Sequence, residues 1–166
     1  MLDVGSGCGR LALYVALTRG GTPEQQSWQV HGIEISPMLH QIALRALSKG
    51  YQEGSFTDYQ EKSVLLSSIH LHLGAVEEWT QVLQCTNLVF LYSTAFPTTG
   101  FSEEWGAMIL GQEWSGLLSK TCPTGCVVVT TDRALDPDDG WDLVDRLDVE
   151  NREVMGSTGY IHVLRR

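Results

Sequence analysis

The segment Asp3-Val4-Gly5-Ser6-Gly7-Cys8-Gly9-Arg10 holds the residues best suited to grip a ligand. Glycine lets the chain take positive φ and lets a ligand touch the backbone with no Cβ in the way. The spacing then narrows the ligand. A dinucleotide fingerprint reads G-x-G-x-x-G, and counted from Gly5 its third glycine falls on Arg10. A phosphate-cradling P-loop ends in Gly-Lys-Ser/Thr, and no lysine stands here. What remains is Asp-x-Gly-x-Gly-x-Gly, in which the Asp3 carboxylate precedes the turn and suits a cationic group better than a pyrophosphate. Asp3 can also cap the helix region that follows. A second acid, Glu34, ends the strand-like run Gln29–Ile35 (QVHGIEI), where a carboxylate can accept both hydroxyls of a ribose.

These residues need a strand, a turn and a helix to hold them, and the surrounding pattern supplies all three. Leu2–Val4 is a short apolar stretch, and Arg10–Thr18 (RLALYVALT) is an apolar helical run with Gly20-Gly21 in the stop position. Ser36-Pro37 offers a cap and a first-turn proline to a helix reaching about Lys49-Gly50. Tyr51–Ser63 is polar and reads as a loop or insertion. Ile69–Leu73 is a strand, Val76–Leu83 is helical in pattern, and Leu88–Leu91 is an apolar strand followed by a loop, Tyr92–Phe101. Glu103–Ser119 carries a long helical pattern. Pro123-Thr124-Gly125 then turns into the buried-type strand Cys126–Thr131, and Tyr160–Arg165 suits a closing strand.

Strands separated by helix-length segments predict a parallel sheet with helices on both faces. The continuous apolar run Cys126–Thr131 fits a central strand covered on both sides. The last strand follows no helix of its own, so an antiparallel edge position is expected. The predicted fold class is α/β: a doubly wound, Rossmann-like, mostly parallel sheet with an antiparallel closing edge strand, in a single domain over 1–166.

Composition removes other classes. Hydrophobic residues at 43% and charged residues at 19% describe a globular chain rather than a disordered one. No apolar run approaches the roughly 18 residues that cross a bilayer, so no membrane partner is expected. Met1–Gly5 has neither a basic n-region nor an apolar h-region, so no signal peptide is expected and the chain reads as intracellular. Eleven Lys/Arg against twenty Asp/Glu give a charge of −9, which argues against a nucleic-acid-binding face. The segment Asp132–Glu153 concentrates nine acids against three arginines, either as a solvated face or as a dock for a basic partner. Cys8, Cys85, Cys122 and Cys126 form no zinc pattern and read as reduced thiols; the scattered histidines read as strand positions, and no metal is expected.

Loop, strand-end acid (Gly32-Ile33-Glu34-Ile35) and strand order together resemble the class I S-adenosylmethionine-dependent methyltransferases. The resemblance covers the chain in order: Ile69–Ala75 matches the third strand, Leu88–Phe96 the fourth strand and its active-site loop, Cys126–Thr131 the fifth, and Tyr160–Arg165 the last. Within that superfamily, Asp3–Arg10 with Leu11-Ala12-Leu13, Val89–Phe96 and Glu150–Arg166 resemble the Dot-type (disruptor of telomeric silencing) histone-lysine N-methyltransferases.

The resemblance implies S-adenosyl-L-methionine as cofactor, held by Asp3, Gly5, Ser6, Gly7, Gly9, Glu34, Ile35, Ala75, Val76, Glu77 and Tyr92. It implies Tyr92 and Ser93 as polar orienters of the methyl acceptor, with Phe96, Phe101 and Tyr160 walling the substrate pocket. A sulfonium is already an activated leaving group, so orientation and desolvation dominate and no catalytic triad is expected. The Dot-type likeness further implies a basic protein substrate such as a histone and a chromatin-regulating role in the nucleus; otherwise the cytoplasm is expected. Three departures qualify it. Tyr92 replaces that group's active-loop Asn, Ala75 replaces the Asp that meets the adenine amine, and the N-terminal lid and substrate region of the group is expected to be lacking. They keep open a small-molecule or other protein methyltransferase on the same fold, or a degenerate, non-catalytic cofactor-binding module.

Overall fold

The computed structural model describes residues 1–19, 28–52, 68–94, 96–150 and 156–165. It comprises two compact units, Met1–Trp79 and Thr80–Arg166. The first contains β1 (Leu2–Val4), α1 (Arg10–Arg19), β2 (Val30–Glu34), α2 (Pro37–Gln52), β3 (Ile69–Leu73) and a 3-10 turn, Val76–Trp79. Its three strands are parallel and ordered β3-β2-β1. One face of β2 and β3 is sealed by helix: Ala12 and Ala16 of α1 pack on Val30 and Ile69, with Leu13, Val15, Leu47 and Leu71 around them. The Ser36 hydroxyl accepts from Leu39 N at 3.4 Å, so the predicted cap starts α2 with Pro37 in its first position. That helix runs to Gln52, past the expected stop at Lys49-Gly50. The Gly20-Gly21 stop and most of the polar stretch Tyr51–Ser63 lie outside the described residues.

The second unit contains α3 (Thr80–Gln84), β4 (Leu88–Leu91), β5 (Thr98–Ser102), β6 (Ala107–Leu110), α4 (Gln112–Thr121), β7 (Val127–Thr131), a 3-10 turn (Pro137–Asp139), β8 (Trp141–Val149) and β9 (Ser157–Leu164). Four strands run in the order β4-β7-β9-β8; β4 and β7 are parallel, and β9 is antiparallel to both its neighbours. The expected architecture, α/β and mostly parallel with an antiparallel edge, is therefore present. Its edge is a pair of strands rather than one. β9 lies inside and β8, drawn from the acidic segment, lies outside.

One expected helix is replaced. Glu103–Ser119 is not continuous: Gly106, at φ 59°, sits in the turn that sends β5 back along β6, and α4 begins only at Gln112. The apolar run Ala107–Leu110 fits a short strand as well as a helix by periodicity, and tertiary pairing decides it. Leu110 N donates to Ala134 O and Ala134 N to Met108 O, both at 2.8 Å, which fastens β6 to the chain beyond β7. Ala107, Ile109, Ala134 and Tyr160 form the core beneath, flanked by Trp105 and Leu143.

Candidate functional site

In the first unit the glycine loop turns on three left-handed residues, Gly5, Gly7 and Gly9, at φ 71°, 55° and 75°. A non-glycine residue is strained in that region. Gly5 N and Ser6 N both donate to Ile33 O at 2.9 Å, and Gly9 N donates to Ser6 O at 2.8 Å. Glu34 completes the turn: Oε2 accepts from Gly7 N and Oε1 from Ser36 N, each at 2.7 Å. One carboxylate thus clamps the loop to the start of α2, and it is only 6% exposed. The sequence predicts a Glu34 free for ribose hydroxyls. In the structure each oxygen already holds one backbone N–H and keeps one further lone-pair direction.

The three glycines differ in what surrounds them. A Cβ built on Gly5 or Gly7 meets no protein atom within 4 Å, whereas one on Gly9 lies 3.1 Å from Ala43 Cβ. Gly9 therefore serves the packing of α1 on α2, and the space over Gly5 and Gly7 is open. Gly32 belongs to the same device although the sequence reading gave it no such role: a Cβ there would lie 3.0 Å from Ser6 Cβ, so the loop rests on β2 only because that position is glycine. Its signal was a glycine inside a strand.

Asp3 is buried beside this turn. Burial first, and then the negative charge of Glu34, push its carboxyl up to about 7. Ile35 (70% exposed) and Leu73 (45%) are open apolar side chains at or just beyond the carboxyl ends of neighbouring parallel strands. Gly74 N donates to Glu34 O at 3.0 Å, which carries Ala75 to the same end of the sheet. Val76 is buried and Glu77 exposed. Asp3, Gly5–Gly9, Glu34, Ile35 and Ala75 thus gather at the carboxyl ends of β1, β2 and β3; the Val76 side chain belongs to the core.

In the second unit Tyr92 is exposed just after β4, and Ser93 behind it is fully buried. Ser93 Oγ donates to Thr131 O at 2.6 Å and accepts from Thr131 N at 3.2 Å, while Ser93 N donates to Thr131 Oγ1 at 3.0 Å. Its hydroxyl anchors the loop rather than facing an acceptor. Thr94 Oγ1 donates to Asp132 Oδ2 at 2.6 Å, and Asp132 Oδ1 accepts from Ser157 Oγ at 2.9 Å and Thr158 N at 2.8 Å. Burial opposes ionisation of Asp132, but the bonds from Thr94, Thr158 and Ser157 hold its carboxyl below the usual range. Asp132→Ala should lower unfolding free energy by about 2–3 kcal/mol, because it removes a charged acceptor from several donors at once. Urea denaturation checks this, and a midpoint unmoved by the substitution would deny the network a stabilising role.

The expected substrate walls are not assembled on one surface. Phe96 stacks on Trp114 with centroids 4.5 Å apart. Phe101 is 59% exposed on β5, where it pairs with Met108. Tyr160 is 3% exposed in the core, with the Arg146 guanidinium 5.8 Å from its ring centroid. Tyr160 therefore does not wall a pocket with Phe96 and Phe101 as expected: it packs in the core with Ala107, Ile109 and Ala134.

Solved structures share this fold. An RNA methyltransferase from Salinibacter ruber in complex with S-adenosyl-L-homocysteine matches with TM-score 0.60 and 21% identity, over 99% of this chain and 80% of that one. Magnesium protoporphyrin IX methyltransferase from Synechocystis PCC 6803 with bound S-adenosylmethionine matches with TM-score 0.61 and 14% identity, over 99% and 69%. The chain has the class I S-adenosylmethionine-dependent methyltransferase fold. A structure concerned with conversion of a disulfide bond into a thioacetal group during echinomycin biosynthesis also matches, with TM-score 0.57 and 14% identity over 98% and 75%. No protein-family model and no curated protein matches the chain. The Dot-type histone-lysine likeness finds no counterpart in these three structures. Among the described residues, no helix is long and apolar enough to cross a membrane.

Proposed function

We propose that the chain is an S-adenosylmethionine-dependent methyltransferase acting on a small-molecule acceptor. The observation that carries the cofactor reading is the glycine turn clamped by Glu34, with open space where Gly5 and Gly7 would carry side chains. That cradle fits a ligand lying against backbone. Glu34 retains lone pairs for ribose hydroxyls, Ile35 and Ala75 offer apolar surface for an adenine, and the Asp3 carboxyl suits the cationic end. Bound S-adenosylmethionine supplies a methyl group on a positively charged sulfur. The chain contributes placement and exclusion of water, and Tyr92 is its exposed polar group beyond β4.

Charge separates the acceptors. At −9 overall, the chain is poorly suited to a phosphate backbone. The histone-lysine reading loses support because Ser93, its expected orienter, and Tyr160, its expected wall, are engaged inside the second unit. Incubation with methyl-labelled S-adenosylmethionine and separate pools of small metabolites, RNA, and histones with nucleosomes tests the reading. Label is expected in the metabolite pool. Label in histones restores the lysine reading, label in RNA alone removes the charge argument, and no transfer despite cofactor binding identifies a non-catalytic module.

Asp3 adds a pH prediction. The free chain carries the Asp3 proton below about 7, and a cation placed beside it favours the ionised form. Binding should therefore release protons near neutrality and weaken as pH falls below that value. Calorimetry in two buffers of different ionisation enthalpy reads the release, which Asp3→Asn should abolish.

A further inference from the structure

The face of β2 and β3 opposite the α1 packing carries three imidazoles. Parallel register sets His31 beside His70 and Ile33 beside His72, and the two-residue period puts all four on one side. The His31 ring stacks on His70 at 4.7 Å and on His72 at 5.3 Å. His31 Nδ1 and His72 Nε2 share a hydrogen bond at 3.0 Å, and His70 Nε2 bonds Gln29 Oε1 at 3.0 Å. The Trp79 ring lies 4.3 Å from that of His72. β3 is an edge strand whose sole ladder partner among the described strands is β2.

We propose that the His31–His70–His72 stack is an acid-sensitive latch that holds β3, and with it the Gly74–Glu77 segment, against β2. The His31–His72 bond needs a bare nitrogen on one ring. When both rings take protons, two donors face each other and two cations meet in a stack. The groups acting on the rings offer no relief: His40 of α2 acts on His72 and the Met1 ammonium on His31, both in the same sense as the imidazoles themselves. Glu77 and Glu78 of the adjoining turn are exposed. In agreement, burial and then the neighbouring histidines hold His31 down at about 4 and His72 below the usual range. A histidine kept neutral by the fold stabilises it fully above its ordinary value near 6.5, and this stabilisation fades as pH falls toward about 4.

Opening of β3 would disturb Gly74, whose N–H reaches Glu34 O at 3.0 Å, so the latch would set cofactor affinity. That consequence rests on the methyltransferase reading, whereas the latch does not. Hydrogen–deuterium exchange of the full chain near pH 7.5 and near pH 5, corrected for intrinsic rates, tests it, with S-adenosylhomocysteine affinity measured alongside. Protection over Ile69–Leu73 is expected to fall about tenfold or more at the lower pH, beyond any fall in α2. The His70→Gln/His72→Gln variant is expected to keep its protection, and His31→Gln serves as a second variant should that one fold poorly. Equal protection of β3 at both pH values, or acid lability unchanged in the folded variants, overturns the latch. Absence of S-adenosylhomocysteine binding near pH 7.5 would count against the cofactor reading and leave the exchange result to decide the latch. Asp3 affects affinity in the same pH direction, but Asp3→Asn is not expected to alter exchange in β3.

Discussion

Gly7→Val is expected to abolish cofactor binding while the chain stays folded. The backbone there has φ 55°, so a β-branched residue adds strain of about 1–3 kcal/mol. A Cβ there has no atom within 4 Å beyond its chain neighbours, so the new side chain starts into open space. The volume it would fill is the one the proposed cofactor requires. Calorimetry with S-adenosylhomocysteine should show at least about a hundredfold loss of affinity, about 2.7 kcal/mol, while circular dichroism keeps its native form. Gly9→Ala should behave differently. Its Cβ would press on Ala43 at 3.1 Å, so the penalty falls on the packing of α1 against α2. Normal binding by a folded Gly7→Val variant would move the ligand away from this loop.

Glu34→Ala should have an effect of similar size for a different reason. Its two oxygens each hold a backbone N–H at 2.7 Å, one from the loop and one from the start of α2. Removing the carboxylate leaves both donors without that partner and slackens the turn, at about 2–4 kcal/mol of stability. Affinity should also fall by about a hundredfold, because ribose hydroxyls lose their acceptor. Glu34→Gln retains one acceptor oxygen and should fall between. Urea denaturation and calorimetry on the same samples separate the two roles. A variant that loses stability but binds normally would leave Glu34 as a clamp alone.

Much of this was readable from residue order. Leu2–Val4, Val30–Glu34 and Val127–Thr131 are compact, mostly apolar strands, and Ser36-Pro37 announces a helix start; both signals are local, so they survive translation into structure. The glycine turn was readable because positive φ restricts residue type. β8 was not. Its alternation is hidden by Asp142, Asp145 and Asp148 and broken by a bulge between Leu143 and Asp145, and its strand state depends on pairing with β9. The β5–β6 hairpin is not legible in the sequence, because four apolar residues, Ala107–Leu110, suit either period. At the site, residue type located Glu34 but not the N–H groups its oxygens face. The burial of Ser93 and Tyr160 is not legible, because a polar or aromatic residue near a strand end reads alike whether it points outward or inward.

The Gly5–Gly9 turn with Glu34 is proposed as a cofactor cradle. Calorimetric titration of S-adenosylhomocysteine into the native chain, with Gly7→Val titrated beside it, tests this most directly. Saturable one-to-one binding by the native chain is expected, with a dissociation constant on the order of micromolar, and none measurable in the variant. No heat from the native chain at millimolar ligand, or equal binding by both chains, would contradict it.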